Sequence, residues 1–137
     1  MGRPLAQQTQ SLSPEAAAWM GAIIEGEGTI GMYRSRPTRQ RKHPHVVVSN
    51  TEVETIATCL RLVGAGNVGL VTSKNYLAKW PHHNLVWQWR LSATRNIAAF
   101  LPQVIPYLTG KRDAAEIVLS EIRQRIAIVD WRRKEKK

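Results

Sequence analysis

Residues Trp19 to Gly28 read W-M-G-A-I-I-E-G-E-G, and no other stretch constrains the fold as much. Ahead of it, Ser13-Pro14-Glu15 is a helix start, with Ser as N-cap, Pro at the first helical position and an acid in the first turn. The spacing predicts a helix from Pro14 to about Gly26. At about 100° per residue, Ala16, Met20, Ile23 and Ile24 share one face, and Ala18, Gly21, Ala22 and Glu25 share the opposite one. One face is bulky and the other small, which predicts burial on both sides. The apolar run from Ala16 to Ile24 is too short to span a bilayer. The helix then runs straight into Glu25-Gly26-Glu27-Gly28, two acids separated only by a glycine. The fold must give both carboxylates water or a partner at the exit of a packed helix.

Downstream, the periodicity changes to two. Ile30 and Met32 point one way and Thr29, Gly31, Tyr33 and Ser35 the other, the pattern of a half-buried strand. A turn from Arg34 to Lys42 holds five positive charges, and a second strand is predicted from about His43 to Val48. Thr51-Glu52-Val53-Glu54 is a capping-box pattern. Ile56, Leu60 and Val63 then line one helix face, and Gly64 is a natural stop. Asn67–Thr72 and Leu85–Leu91 read as strands, with Trp87, Trp89 and Leu91 on one side and Val86, Gln88 and Arg90 on the other. The segment between them, carrying Lys74, Lys79, Trp80, His82 and His83, reads as a loop. Thr94–Leu101 reads as a helix ended or kinked by Pro102. A last helix carries Ala115, Val118, Leu119, Ile122 and Ile126 on one stripe. The expectation is an α+β fold in the order α-β-β-α-β-β-α, with helices covering one face of an antiparallel sheet. Residues 13–128 form the domain, after a flexible segment 1–12 and before a fraying basic tail 129–137.

Charge narrows the partners. The 137 residues hold 20 Lys and Arg against 10 acids, a formal charge of +10. Such a balance points to nucleic acid or an acidic membrane surface. A hydrophobic fraction of 43% excludes a disordered chain. Cys59 is the single cysteine, so no intramolecular disulfide forms, which fits a reducing compartment. Residues 1–8 lack the apolar core of a signal peptide, and the expected location is intracellular, not secreted.

Met20-Gly21-Ala22-Ile23-Ile24-Glu25-Gly26-Glu27-Gly28 resembles the signature of the LAGLIDADG homing endonucleases. The likeness continues at Val48-Ser49-Asn50-Thr51-Glu52, at Val63-Gly64-Ala65-Gly66-Asn67-Val68 and at Pro106-Tyr107-Leu108-Thr109-Gly110-Lys111. It spans roughly residues 14 to 126. Four short motifs in the family's order and spacing carry it together. With one copy of the signature, the resemblance implies a homodimer in which Ala18, Gly21, Ala22 and Glu25 line the interface between two signature helices. It implies double-stranded DNA as substrate and Mg²⁺ as cofactor, held by Glu27 near the two-fold axis. Lys111 would stand near the scissile phosphate as the basic catalytic residue. Asn50 would take the place where relatives often carry Gln to order water. Glu54 departs from the family, some of whose members have a second basic residue there; Arg112 is a candidate substitute.

The sheet's outward face would lie in the major groove, with Thr29, Tyr33, Arg41, His43, His45, Asn67, Gln88 and Arg90 reading the site. Ser35, Arg36, Arg39, Arg41, Lys74 and Lys79 would add contacts from the loops. Each assignment has a plainer counterpart in the residues themselves. Glu27 is also a solvated acid at a helix end, Lys111 a first-turn surface lysine and Asn50 a neighbour of a helix cap. Trp87 and Trp89 alternate with core positions, so burial is their better reading than base stacking. The four histidines lack regular zinc spacing. The activity implied is site-specific, Mg²⁺-dependent DNA cleavage at a long pseudo-palindromic target. The alternatives are an RNA-splicing maturase acting on intron RNA, or a DNA-binding regulator that has lost cleavage.

Overall fold

Ser13 caps the first helix: its hydroxyl accepts the Ala16 N–H at 3.1 Å, and α1 runs Pro14–Glu27. The computed structural model describes residues 7–34, 36–38, 40–71, 74–80 and 84–136. α1 passes without a loop into β1 (Gly28–Tyr33), followed by β2 (His43–Asn50) and α2 (Val53–Val63). Gly64 ends α2 in the left-handed conformation, φ 76°. Then come β3 (Asn67–Leu70), α3 (Lys74–Lys79), β4 (Trp87–Leu91) and α4 (Thr94–Val104). A 3₁₀ turn, Ile105–Tyr107, leads to α5 (Arg112–Glu135). The strands form one antiparallel sheet in the order β1-β2-β4-β3. This is the expected α+β arrangement, with α3 added.

The helices pack on one face of the sheet. Ile30, Val46, Val48, Trp89 and Leu91 meet Met20 and Ile24 of α1, Ile56 and Val63 of α2, Phe100 of α4 and Ile122 of α5. Each such side chain contributes roughly 1.5–3 kcal/mol through burial. Trp89 is fully buried, gives its indole N–H to the Ala65 carbonyl at 3.0 Å and meets the Phe100 ring edge-on. Trp87 is half-buried on the same side. Burial pushes the Cys59 thiol up to about 12, so it stays neutral.

Several elements differ from their sequence reading. The Thr51–Glu54 capping box does not form; α2 begins after Glu52, whose side chain makes no capping bond. Asn50, two residues ahead of that N-cap, forms a local turn instead, its Oδ1 accepting the Glu52 N–H at 2.8 Å. The Asn turn starts the helix one residue later than the box would have placed it. Segment 74–79 is a short helix rather than loop. β3 ends at Leu70, and Thr72 lies outside the described residues. Where a flexible lead-in was expected, residues 7–12 lie against α2 and α4. The Gln10 N–H meets the Val63 carbonyl at 2.8 Å, the Thr9 N–H meets Asn96 Oδ1 at 2.9 Å and the Leu12 N–H meets Gln103 Oε1 at 2.7 Å. α5 continues to Glu135 through the segment expected to fray. Arg, Lys and Glu are good helix formers, and Arg132, Arg133 and Lys134 suit the negative end of the helix dipole.

Candidate functional site

The end of α1 is held by two side chains that each bond to backbone. Glu25 Oε1 accepts the N–H groups of Thr109 at 2.7 Å and Lys111 at 2.9 Å. Lys111 returns the contact: its Nζ donates to the carbonyls of Ile24 at 2.7 Å, Glu25 at 3.0 Å and Gly28 at 2.6 Å. The last carbonyls of a helix have no partner within it, and a cation there also complements the helix dipole. The two backbone donors, with the charge of Lys111, hold the Glu25 carboxyl below the usual carboxylate range. Lys111 was expected beside a phosphate. In the structure its ammonium is engaged by the helix end.

Glu27 is the last residue of α1 and is exposed. Its carboxylate makes no hydrogen bond or ion pair among the described residues. The next residue, Gly28, has an extended φ of −108° open to any side chain. What requires glycine is space: a Cβ would sit 2.8 Å from Ile24 Cα and 3.1 Å from the Val47 carbonyl. The helix can therefore turn into β1 with no gap, which holds Glu27 at the junction.

Gly21 is buried and packs against a distant part of the same chain. A Cβ there would lie 2.7 Å from Tyr107 Cβ, so the missing side chain makes room for the chain's own 3₁₀ turn. Within the chain, the fold itself uses that space. α1 is also not buried on both sides: Trp19, Ala22 and Gly26 are exposed and Ala18 is half-buried. Asn50, at the end of β2, has its Oδ1 engaged by the α2 entry turn. Arg112 donates to the Pro106 carbonyl at 3.3 Å. Among the described residues, no group of three or more His, Cys, Asp or Glu converges as a metal cluster.

The uncovered face of the sheet gathers seven of the expected residues. Thr29, Val47, Arg90 and Asn67 sit side by side across all four strands. Ser49, Gln88 and Gly69 form the next row towards the Glu27 end, and Gln88 Nε2 lies 3.5 Å from the Ser49 hydroxyl. Towards the other end, Gly31 pairs with His45 and Tyr33 with His43. The Tyr33 ring stacks on His45 at 4.8 Å and 16°, and the Arg90 guanidinium lies 5.2 Å from the Tyr33 ring centre. A Cβ on Gly31 would come within 3.7 Å of His45 Nε2. His45 Nδ1 is buried without a hydrogen-bond partner among the described residues. Burial, and then the charge of Arg90, lower the pKa of His45, so it is neutral at neutral pH. The result is a cationic and aromatic surface with amide and hydroxyl groups beside it.

The loop residues scatter. Arg36 is exposed in the β1–β2 connection. Arg41 turns towards α5 rather than joining the sheet face. Lys79 is exposed on α3, its ammonium 5.8 Å from the Trp80 ring centre. Ser35, Arg39, His82 and His83 lie outside the described residues, as does the side chain of Lys74. The sequence reading missed Val47 and Ser49, which stand in the middle of the open face. The run Val46-Val47-Val48 hides the strand's alternation, and only the pairing with Thr29 and Arg90 reveals which valine faces out.

No known family profile matches the sequence, and no curated protein matches it. Solved structures do share the architecture. I-CvuI in complex with its target superposes with a TM-score of 0.65 at 17% identity, over 80% of this chain and 67% of that one. The archaeal intron-encoded homing endonuclease I-Vdi141I, complexed with DNA, gives 0.62 at 11% identity, over 81% and 69%. The LAGLIDADG meganuclease I-AabMI, bound to uncleaved DNA, gives 0.59 at 16% identity, over 78% of this chain and 36% of its own. The fold is that of the LAGLIDADG homing endonucleases. At these identities the likeness establishes architecture alone. Among the described residues, no helix is long and apolar enough to cross a membrane.

Proposed function

We propose that this chain is a site-specific DNA endonuclease that acts as a homodimer and uses Mg²⁺. The observation that carries the reading is the junction of α1 and β1. It delivers one unpaired carboxylate, Glu27, at one end of a sheet whose open face presents Arg90, Gln88, Asn67 and Tyr33. The same architecture occurs in homing endonucleases solved on DNA, one of them in the presence of Mg²⁺ with its DNA not cleaved.

The residues fit a magnesium ion. Mg²⁺ is commonly held by one or two carboxylates, with phosphate oxygens and water completing the shell. Glu27 is exposed and unpaired among the described residues, and the nearby ammonium of Lys111 is tied to three carbonyls. When bound, the ion polarises the phosphate and lowers the pKa of an attached water. Lys111 and Glu25 fix the helix end, so Glu27 keeps its position as DNA arrives. Arg90 is suited to guanine O6 and N7, and Gln88 to adenine N6 and N7. Asn50, beside the α1–β1 junction in the sheet's first rows, retains an amide for ordering water. A second copy docks on the open side of α1, where Ala18, Ala22 and Gly26 present little bulk and nothing lies within 4 Å of a Cβ on Gly26. Two copies bring two Glu27 carboxylates to the axis, one for each DNA strand, and impose a matching two-fold on the target.

The test uses supercoiled plasmid carrying the gene's own locus without the gene, incubated with purified protein and Mg²⁺. Linearisation at one site supports the reading. Binding without cutting would replace it with a DNA-binding regulator. Absence of both, with splicing of a host transcript, would replace it with a maturase.

A further inference from the structure

Four arginines from three elements meet at the end of the sheet opposite Glu27. Arg41 comes from the chain entering β2, Arg95 from the first turn of α4, and Arg125 and Arg133 from α5. With Thr94 they line a concave site of about 140 Å³. The six residues of β1 separate this end from Glu27, about 20 Å along an extended strand. Two of the arginines have their charge met nearby. Arg95 pairs with Asp130 at 2.7 Å, and Arg125 pairs with Glu121 at 3.1 Å while its Nη1 donates to the Lys42 carbonyl at 2.7 Å. Arg41 and Arg133 make no ion pair or side-chain hydrogen bond among the described residues. No acid lines the site itself.

Like charges brought together in a concavity oppose the isolated fold, and an anion placed among them reverses the sign. A guanidinium offers a planar fork of donors and is weakly hydrated, which suits it to phosphate oxygens more than to a simple halide. The site also depends on α5 remaining helical beyond the core, since Arg133 lies in its last turn. The Arg95–Asp130 pair further ties this part of α5 to α4. The bonded pair Arg95 and Arg125 thus frames the pocket, and Arg41 and Arg133 supply its open donors.

We propose that this pocket holds one backbone phosphate of duplex DNA, at the outer end of each half-site. The identity of the ligand rests on the DNA-cleaving reading; the site rests on its own four arginines. In this arrangement the open sheet face reads bases while the arginine pocket grips the backbone beyond them. Contacts of this kind fix register without carrying sequence information.

The test compares the wild type with R41Q/R133Q, two exposed positions outside the core. Duplex binding is measured across a salt series. Each lost phosphate contact should reduce the slope of log affinity against log salt by about 0.9. Because the pocket holds one phosphate, the expected result is a slope lower by about one such step. Phosphate ethylation should interfere with the wild type, but not the variant, at the outermost positions of the footprint. An unchanged slope with an unchanged interference pattern overturns the proposal. A second arm titrates inorganic phosphate into the DNA-free protein and follows the arginine Nε–H resonances. Saturable shifts at Arg41 and Arg133 in the wild type support a built phosphate site. If the wild type binds no duplex, the DNA-cleaving reading fails. Shifts in the second arm would then support a site for free phosphate alone, and their absence overturns the pocket.

Discussion

The end of α1 and the open face of the sheet are built from similar polar residues put to opposite use. At the end of α1, Glu25 and Lys111 bond to backbone, through two N–H groups and three carbonyls. Backbone partners do not change rotamer, so the arrangement locks one geometry. On the open face, Tyr33, His45 and Arg90 rest on one another, and the half-buried Arg90 and Gln88 have side-chain partners, Tyr33 and Ser49, rather than backbone ones. Those groups adapt to whatever approaches. A locked region suits chemistry, where displacement of a reacting group by about 1 Å can cost a hundredfold in rate. An adaptable one suits recognition. Changes at the α1 end should therefore act on rate and stability together, and changes on the face should act on preference.

The sharpest test of that division is Glu27→Gln. The substitution keeps size and leaves the Glu25–Lys111 clasp untouched, while removing the charge that would hold the metal. Cleavage of a mapped target should fall by about a hundredfold or more, the scale of losing a key electrostatic group. Affinity for the same duplex in the absence of metal should stay within about twofold, a shift of roughly RT ln 2 or 0.4 kcal/mol. Equal loss of binding and cutting would show that Glu27 belongs to recognition and would erase the contrast.

Lys111→Met comes next. It keeps the aliphatic stem but leaves the Ile24, Glu25 and Gly28 carbonyls without their donor. Hydrogen bonds to charged groups contribute about 1.5–3 kcal/mol, so urea unfolding should show a loss of about that size. Cleavage should fall as well, even at temperatures where the variant is fully folded, because Glu27 loses its anchor. A variant as stable as the wild type but unable to cut would restore the direct phosphate role first expected for Lys111.

Arg90→Ala tests the other side of the comparison. Each bidentate base contact contributes about 1–3 kcal/mol of discrimination, and its loss should relax preference at one position of each half-site. Base pairs at the centre should keep their preference, since bending reads them. Cleavage of a randomised target library by both proteins measures the effect. A uniform loss of affinity with unchanged preference would move Arg90 to the backbone-contacting group.

The comparison also explains what the sequence could and could not disclose. Ser13-Pro14, the alternation of Ile30 with Met32 and of Trp89 with Leu91, and the stop at Gly64 are local signals, and each gave its element. The order of helices and strands follows from them. The clasp at α1 joins residues 83 to 87 positions apart, and no local pattern marks it. Gly21 reads as a contact surface because its filler, Tyr107, is equally remote. Arg41 shares its parity with His43 and His45, yet leaves the sheet because α5 offers a wall beyond the strand. The Asn50 turn and the Thr51–Glu54 box are both local, and sequence alone does not rank a turn against a cap that need the same residues in different conformations. Glu27 was legible only through resemblance, since an acid beside a turn is commonplace.

The smallest effect should come from Glu25→Gln, and it separates the geometry of the clasp from its charge. Gln can still accept both backbone N–H groups through its carbonyl oxygen, so fold and cleavage at neutral pH should change little. What disappears is a titration. In the folded protein the Thr109 and Lys111 donors hold the Glu25 carboxyl below its unfolded value. The stability linked to that depression is fully present above the unfolded pKa and is lost as pH falls through the folded one. Unfolding free energy measured by urea from pH 7 downward should therefore decline less steeply for Glu25→Gln than for the wild type, beginning near the ordinary carboxylate pKa. His45 also has a depressed pKa, so it too favours the folded state at higher pH, and its contribution is common to both proteins. The difference between the two curves isolates Glu25. Parallel curves would mean that the carboxylate is as well solvated in the fold as in the unfolded chain. The end of α1 would then owe its rigidity to Lys111 alone.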